Sequence, residues 1–256
     1  MNIPESAARF SNRVADYVRY RPGYPAALMR WLHEDQAVQA GALVADIGAG
    51  TGISSAMLLE AGHPVVAVEP NAAMRTAAAQ WLGPHYPGFS AVDGRAEATG
   101  LETGSIGLVS AAQAFHWFDM EAVRREWQRI LMPAGRVLVY WNSRLLEGSA
   151  FLAGYEALLL EFGTDYSAVA ERYQTDAQMA DWFGLGLQAS AIFPNVQMLD
   201  FAALSGRLLS SSYAPTADHP GHAPMMAALR DLFDAEAVDG RIAFEYQTRA
   251  FLGTLD

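Results

Sequence analysis

The 256-residue sequence contains no cysteine. That excludes disulfides, thiolate nucleophiles and Cys-ligated metals. Basic residues are scarce: 17 Lys and Arg stand against 28 Asp and Glu, for a net charge of -11. Nor do they cluster. Such a chain lacks the basic face that neutralises phosphates, so no nucleic acid and no anionic membrane is expected as its main partner. No window approaches the ~20 consecutive apolar residues of a membrane span, and residues 1–21 have no apolar signal-peptide core. A cytoplasmic location is the default expectation. The six histidines show no metal-ligand spacing. His219 and His222 fall in a Pro/Gly-rich stretch that reads as a surface loop, so no metal site is expected.

What is present reads as one domain, with 52% hydrophobic residues, close to the ordinary globular range. Across 42–141, short β-rich apolar runs alternate with Ala-rich helical stretches. The strands are expected at 43–47, 64–68, 89–92, 106–111 and 136–141, and the helices at 53–61, 72–81 and 120–131. Apolar strands between helices imply a parallel sheet covered on both faces, the doubly wound, Rossmann-like α/β class. Asn71 and Asp119 are plausible N-caps, and Pro133 with Gly135 hands a helix over to a strand. Helices are also expected at 5–20 and 25–38 before this core. After it, helices are expected at 151–162, 176–185 and 223–233, and strands at 192–201 and 242–251. The chain thus divides into an N-terminal helical arm (1–41), a core (42–144), a helical insertion (145–187) and C-terminal strands and helices (188–256).

The strongest motif is Asp46-Ile47-Gly48-Ala49-Gly50-Thr51-Gly52. A buried strand runs into three glycines and a helix begins. Glycines permit a sharp turn and close approach of a ligand to backbone, and the helix start offers unpaired N–H groups. Dinucleotide enzymes favour G-x-G-x-x-G; here the third glycine comes one residue sooner. Asp46 can meet the ammonium of an amino-acid moiety such as that of S-adenosylmethionine, directly or through water. Glu69, about 20 residues beyond the loop, sits where a carboxylate accepts ribose hydroxyls in either cofactor class.

These residues resemble the class I S-adenosylmethionine-dependent methyltransferases, and more narrowly the small-molecule branch of trans-aconitate methyltransferase-like proteins. The resemblance rests on the loop, on Glu69-Pro70-Asn71, and on 94–101, which is similar to the family's adenine-side loop. It extends to 111–118 after the fourth strand, to the 130–136 leader into strand five, and to Tyr20-Arg21-Pro22-Gly23-Tyr24-Pro25. It implies a seven-stranded, mostly parallel sheet whose antiparallel last strand is 242–251. The cofactor would be S-adenosyl-L-methionine, leaving S-adenosyl-L-homocysteine. Its binding residues would be Asp46, Gly48, Ala49, Gly50, Thr51, Gly52, Glu69, Pro70, Arg95, Ala96, Glu97 and Ala112. Two positions depart from the pattern. Arg95 stands where relatives often place an acid for the adenine amino group, a contact Glu97 would have to make. Gly107 stands where an Asp often precedes the fourth strand.

Methyl transfer from a sulfonium mainly requires positioning and exclusion of water. A carboxylate acceptor needs no general base, whereas a phenol, alcohol or ammonium does. His116 is the base candidate, with packing in the aromatic run 115–118 as the alternative. Gln113 is expected nearer the reacting centre, bonding a ligand or satisfying loop backbone. Arg21 and Arg144 are candidates to clamp a carboxylate, which points to a small anionic acceptor; surface ion pairing is the alternative. Tyr20, Trp117 and Tyr213 complete the substrate-binding candidates, and 210–213 reads as pocket lining or a solvated helix end. Basic and aromatic residues in the arm read as a lid. No N/D-P-P-Y/F run, the motif of DNA amino methyltransferases, follows strand four. An NAD(P)-dependent oxidoreductase and a non-catalytic S-adenosylmethionine-binding module are the rival readings. A monomer or homodimer is expected.

Overall fold

Every residue of β1 (Val44–Ile47) and β2 (Val65–Val68) is buried. That matches strands covered on both faces, whose sequences therefore do not alternate. In the computed structural model, which describes residues 20–167 and 175–255, they lie inside a seven-stranded sheet ordered β3-β2-β1-β4-β5-β7-β6. Strands β3 (Phe89–Val92), β4 (Ile106–Ala112) and β5 (Leu131–Arg144) continue the parallel half. β7 (Ile242–Gly253) runs antiparallel between β5 and the edge strand β6 (Leu187–Leu199).

The helices follow from local chemistry. α1 (Ala26–Arg30) starts after Pro25 and passes into a π-helical turn, Trp31–Asp35. α2 (Ile53–Glu60) follows the glycine loop. α3 (Ala72–Leu82) is capped by Asn71, whose side chain accepts from the Ala73 and Met74 N–H groups. α4 (Met120–Ile130) is capped in the same way by Asp119. α5 (Ala150–Phe162) follows, and α6 (Asp176–Phe183) carries a capping box between Thr175 and Gln178. α7 (Phe201–Leu209) and α8 (His222–Glu236) complete the set.

Three apolar clusters result. One packs α4 and α6 on one sheet face around Trp127. A second packs α1 and α2 on the other face. A third joins α5, α7 and α8 to Phe244 and Tyr246 of β7. Among the described residues no helix is long and apolar enough to cross a membrane, and no group of His, Asp and Glu could hold a metal ion.

Several expectations need correction. The arm helix expected to reach residue 38 ends its π turn at Asp35. The strand expected at 192–201 begins at Leu187 and stops at Leu199, because Asp200 caps α7 through the Ala203 N–H. Strand pairing on β5 already starts at Leu131, opposite Ile106, with an irregularity before Arg136. Ser210 and Ser211 are fully buried rather than a solvated helix end. The helix expected at 5–20 lies, but for Tyr20, outside the described residues.

Candidate active site

In an open α/β sheet, ligands bind beyond the carboxyl ends of the parallel strands. A cleft lies there, walled by the loop after β1, the end of β4, the end of β5 and the arm residues Arg21, Pro22 and Tyr24. Gly50 has φ +57°, a left-handed conformation suited to glycine, and its Cβ position is open except for Met74 Sδ at 3.9 Å. Gly52 has φ +91°, and a Cβ there would lie 2.7 Å from Leu82 Cδ1, so this glycine lets α2 approach α3. The Thr51 hydroxyl lines the cleft, is buried, and has no hydrogen-bond partner among the described residues.

Glu69 is 7% exposed. Its Oε2 accepts the Gly50 N–H at 2.9 Å and its Oε1 the Asn71 N–H at 2.8 Å. A carboxylate offers about four lone-pair sites, so each oxygen keeps one for a ligand hydroxyl. Burial raises its pKa above the usual carboxylate range, against the pull of those two N–H donors. Pro70 follows on the exposed side.

Asp46 lies in the sheet rather than in the cleft wall. It is fully buried, and its two oxygens accept from Ser54 Oγ at 3.0 Å and Ser55 Oγ at 2.6 Å. Burial lifts its pKa to about 6, against the serine hydrogen bonds. The carboxylate therefore ties β1 to the first turn of α2 and acts on the cleft as a field.

In the loop expected to meet the adenine, Arg95 and Ala98 exchange backbone hydrogen bonds, and Trp127 Nε1 donates to the Ala96 carbonyl at 3.2 Å. Glu97 Oε1 accepts the Asp119 N–H at 3.2 Å, and Arg95 lies 3.8 Å from its other oxygen. Asp93, just beyond β3, pairs with Arg75 at 3.3 Å.

Gln113 reaches the cleft with φ +59°. Its side chain accepts the Asn142 N–H at 2.8 Å and donates to the Asn142 carbonyl at 3.3 Å, extending the β4–β5 pairing by one rung. Ala112 lines the cleft beside it. His116 and Trp117 form a short 3-10 turn with their rings 4.8 Å apart, outside the cleft wall of described residues.

Arg21 and Arg144 part company. Arg21 lines the cleft and donates to the Ser210 carbonyl at 2.9 Å. Arg144 turns away, pairing with Glu156 and the Tyr166 hydroxyl. Tyr213 stands edge-on to Tyr166, also outside the wall. Tyr20 packs over Gly206, where a Cβ would lie 2.1 Å from its ring.

Sequence reasoning missed the wall residues Asn142, Arg207 and Tyr246, and with them Ile53 and Ser54. Asn142 Nδ2 holds the Gly23 carbonyl at 3.1 Å, joined by Asn195 at 2.9 Å, and so moors the arm. For Arg207 a signal was readable: it is a lone charge inside the apolar run 201–209.

Residues 45–139 match the model of the methyltransferase domain family. The chain is 38% identical over 135 residues to an uncharacterised methyltransferase of Mycobacterium tuberculosis H37Rv, covering 53% of this chain and 52% of that one. It thus spans about half the length of the curated relatives it matches. A structure assigned as a type II methyltransferase from Anaeromyxobacter dehalogenans superposes with a TM-score of 0.70 at 22% identity, covering 92% of this chain and 98% of that one. Geranyl diphosphate C-methyltransferase from Streptomyces coelicolor, solved with Mg2+, geranyl diphosphate and S-adenosyl-L-homocysteine, shares the fold at a TM-score of 0.50 and 14% identity, covering 90% and 79%. Residues 45–139 are thus similar to the methyltransferase domain family, and the fold is one that solved methyltransferase structures share.

Proposed function

We propose that this protein transfers a methyl group from S-adenosyl-L-methionine to a small anionic acceptor. One observation carries the reading. Among the described residues, the cleft beside the glycine loop is walled by two arginines, Arg21 and Arg207, and by no carboxylate or imidazole.

The residues at the loop fit the cofactor. Thr51 offers a buried hydroxyl without a partner, Gly50 leaves room, and Glu69 keeps free lone pairs. Asp46 and Glu69 are both ionised at a cost set by burial, and the charge of Glu69 adds to that of Asp46. A cationic ligand relieves that cost. S-adenosylmethionine supplies a methyl group already activated on a sulfonium.

The remaining work belongs to the chain. Asn142 and Asn195 moor the arm across the cleft, which excludes water. Gln113 sets the loop beyond β4 through the Asn142 backbone. An ionised carboxylate is a nucleophile without proton removal, so a wall lacking a base suits it. His116, outside that wall, is assigned to packing. This reading agrees with the trans-aconitate-like resemblance and with the acidic chain's lack of a nucleic-acid face. We place the protein in the cytoplasm as a monomer or homodimer.

Isothermal titration with S-adenosylmethionine and S-adenosylhomocysteine tests the cofactor. Micromolar binding by the wild type and at least tenfold loss in Glu69→Ala are expected. Binding of NADH instead would replace this reading by the oxidoreductase one. Cofactor binding without turnover of any small carboxylic acid, amine or phenol would leave a binding module.

A further inference from the structure

Arg207 stands in the last turn of α7 and is 7% exposed. Its Nε donates to the Tyr246 hydroxyl at 3.1 Å and its Nη1 to Ser211 Oγ at 3.2 Å. Among the described residues no carboxylate pairs with it, and Nη2 has no acceptor. The rings of Phe244 and Tyr246, 5.7 and 6.0 Å away, offset part of the cost of burying a lone cation. A guanidinium left this way is built for a bidentate anion.

A second observation lies beside the same ring, Phe244, on which Tyr155 packs at 4.9 Å. The Tyr155 hydroxyl is buried without a hydrogen-bond partner, and the charges of Arg207 and Arg144 both act on it. Both groups can donate, so a ligand rich in lone pairs would suit them.

Position separates this spot from the cofactor. Tyr246 is on β7 and Gly48 follows β1, with β4 and β5 between them. Three strand spacings come to roughly 14 Å. A carboxylate clamped by Arg207 is thus remote from the loop, and its charge is neutralised, which makes it a poor nucleophile.

We infer that Arg207 and the Tyr155 hydroxyl form an anion subsite that anchors a carboxylate of the methyl acceptor other than the group that receives the methyl. This rests on the methyl-transfer reading of the cleft. The acceptor class is then a small molecule with an anchoring carboxylate at one end and the methylated atom at the other.

The test is calorimetric titration of the full chain with succinate at fixed ionic strength, alongside S-adenosylhomocysteine. The variants are Arg207→Gln, Arg207→Lys and Tyr155→Phe, with melting curves to confirm folding. Succinate should bind the wild type. Its affinity should fall at least tenfold in Arg207→Gln and Tyr155→Phe and less in Arg207→Lys, with S-adenosylhomocysteine affinity within threefold throughout. Succinate binding untouched by Tyr155→Phe and Arg207→Gln would overturn the subsite. So would a folded wild type that binds S-adenosylhomocysteine but not succinate, which would leave the methyl-transfer reading standing. Parallel loss of both ligands would assign the anion to the cofactor's own carboxylate and overturn the acceptor assignment. Succinate binding with no S-adenosylhomocysteine binding would uphold the anion subsite and sink the methyl-transfer reading.

Discussion

Asp46 shows how one residue serves fold and site together. Its carboxyl is fully buried and titrates near 6 instead of 3.8, which corresponds to about 3 kcal/mol. The native state favours the protonated form. That contribution is therefore full below pH 3.8 and lost as pH rises through about 6. Asp46→Asn should be more stable than wild type at pH 7.5 by roughly 1–3 kcal/mol, the gap closing towards pH 4, as urea unfolding at several pH values would show. The same ionisation favours a cationic ligand, so S-adenosylmethionine affinity should strengthen as pH rises through 6 and lose that dependence in Asp46→Asn. Arg144 gives the contrasting case. Its pair with Glu156 and Tyr166 is partly buried, so Arg144→Ala should cost roughly 1–2 kcal/mol. Cofactor and succinate affinities should stay within threefold. A selective loss of succinate binding would return Arg144 to the acceptor site.

At the scale of elements, the arm and the carboxyl ends of β5 and β6 act as one device. The Gly23 carbonyl is held by both Asn142 and Asn195, and Tyr24 stands edge-on to Tyr140 at 4.7 Å. Asn142→Ala removes one of those hydrogen bonds and the acceptor for Thr248. Cofactor affinity should fall about five- to tenfold, with a modest drop in melting temperature; unchanged affinity would remove the arm from cofactor retention. Legibility in the sequence also divides by element. β1 to β4 and their helices were readable because apolar runs, caps and glycines are local signals. β6 was misplaced because its exposed positions Ile192, Val196 and Met198 blur the alternation of an edge strand. The glycine loop and Glu69 were readable for the same local reason. Asn142 and Tyr246 were not, because strands far apart in sequence bring them together.

The whole molecule carries a second buried titration that opposes the first. His63 is 2% exposed, and its Nδ1 faces the Ala42 carbonyl, which can only accept. Its Nε2 therefore accepts from His33 Nε2, 2.9 Å away. Burial first, and His33 second, hold its pKa below 6.5, despite the carbonyl. Stability from a neutral His63 is present above pH 6.5 and lost as pH falls through the lowered value. Asp46 gains over part of the range where His63 loses. Between pH 6.5 and 5 the melting temperature of the wild type should therefore fall less than that of Asp46→Asn. A parallel pH profile for the two proteins would sink this account.

The place of β7 has a consequence for how the protein is made. Among the described residues β6 pairs only with β7, and β7 enters between two strands synthesised before it. While the chain is still emerging, β1 to β5 can collapse around the glycine loop. β6 and the helices over Phe244 must wait for residues 242–253. During that interval an open β5 edge and an apolar helical layer face the cell, the condition in which strands pair with the wrong neighbour. The half of the molecule that carries Arg207 and Tyr246 is thus the half that closes last.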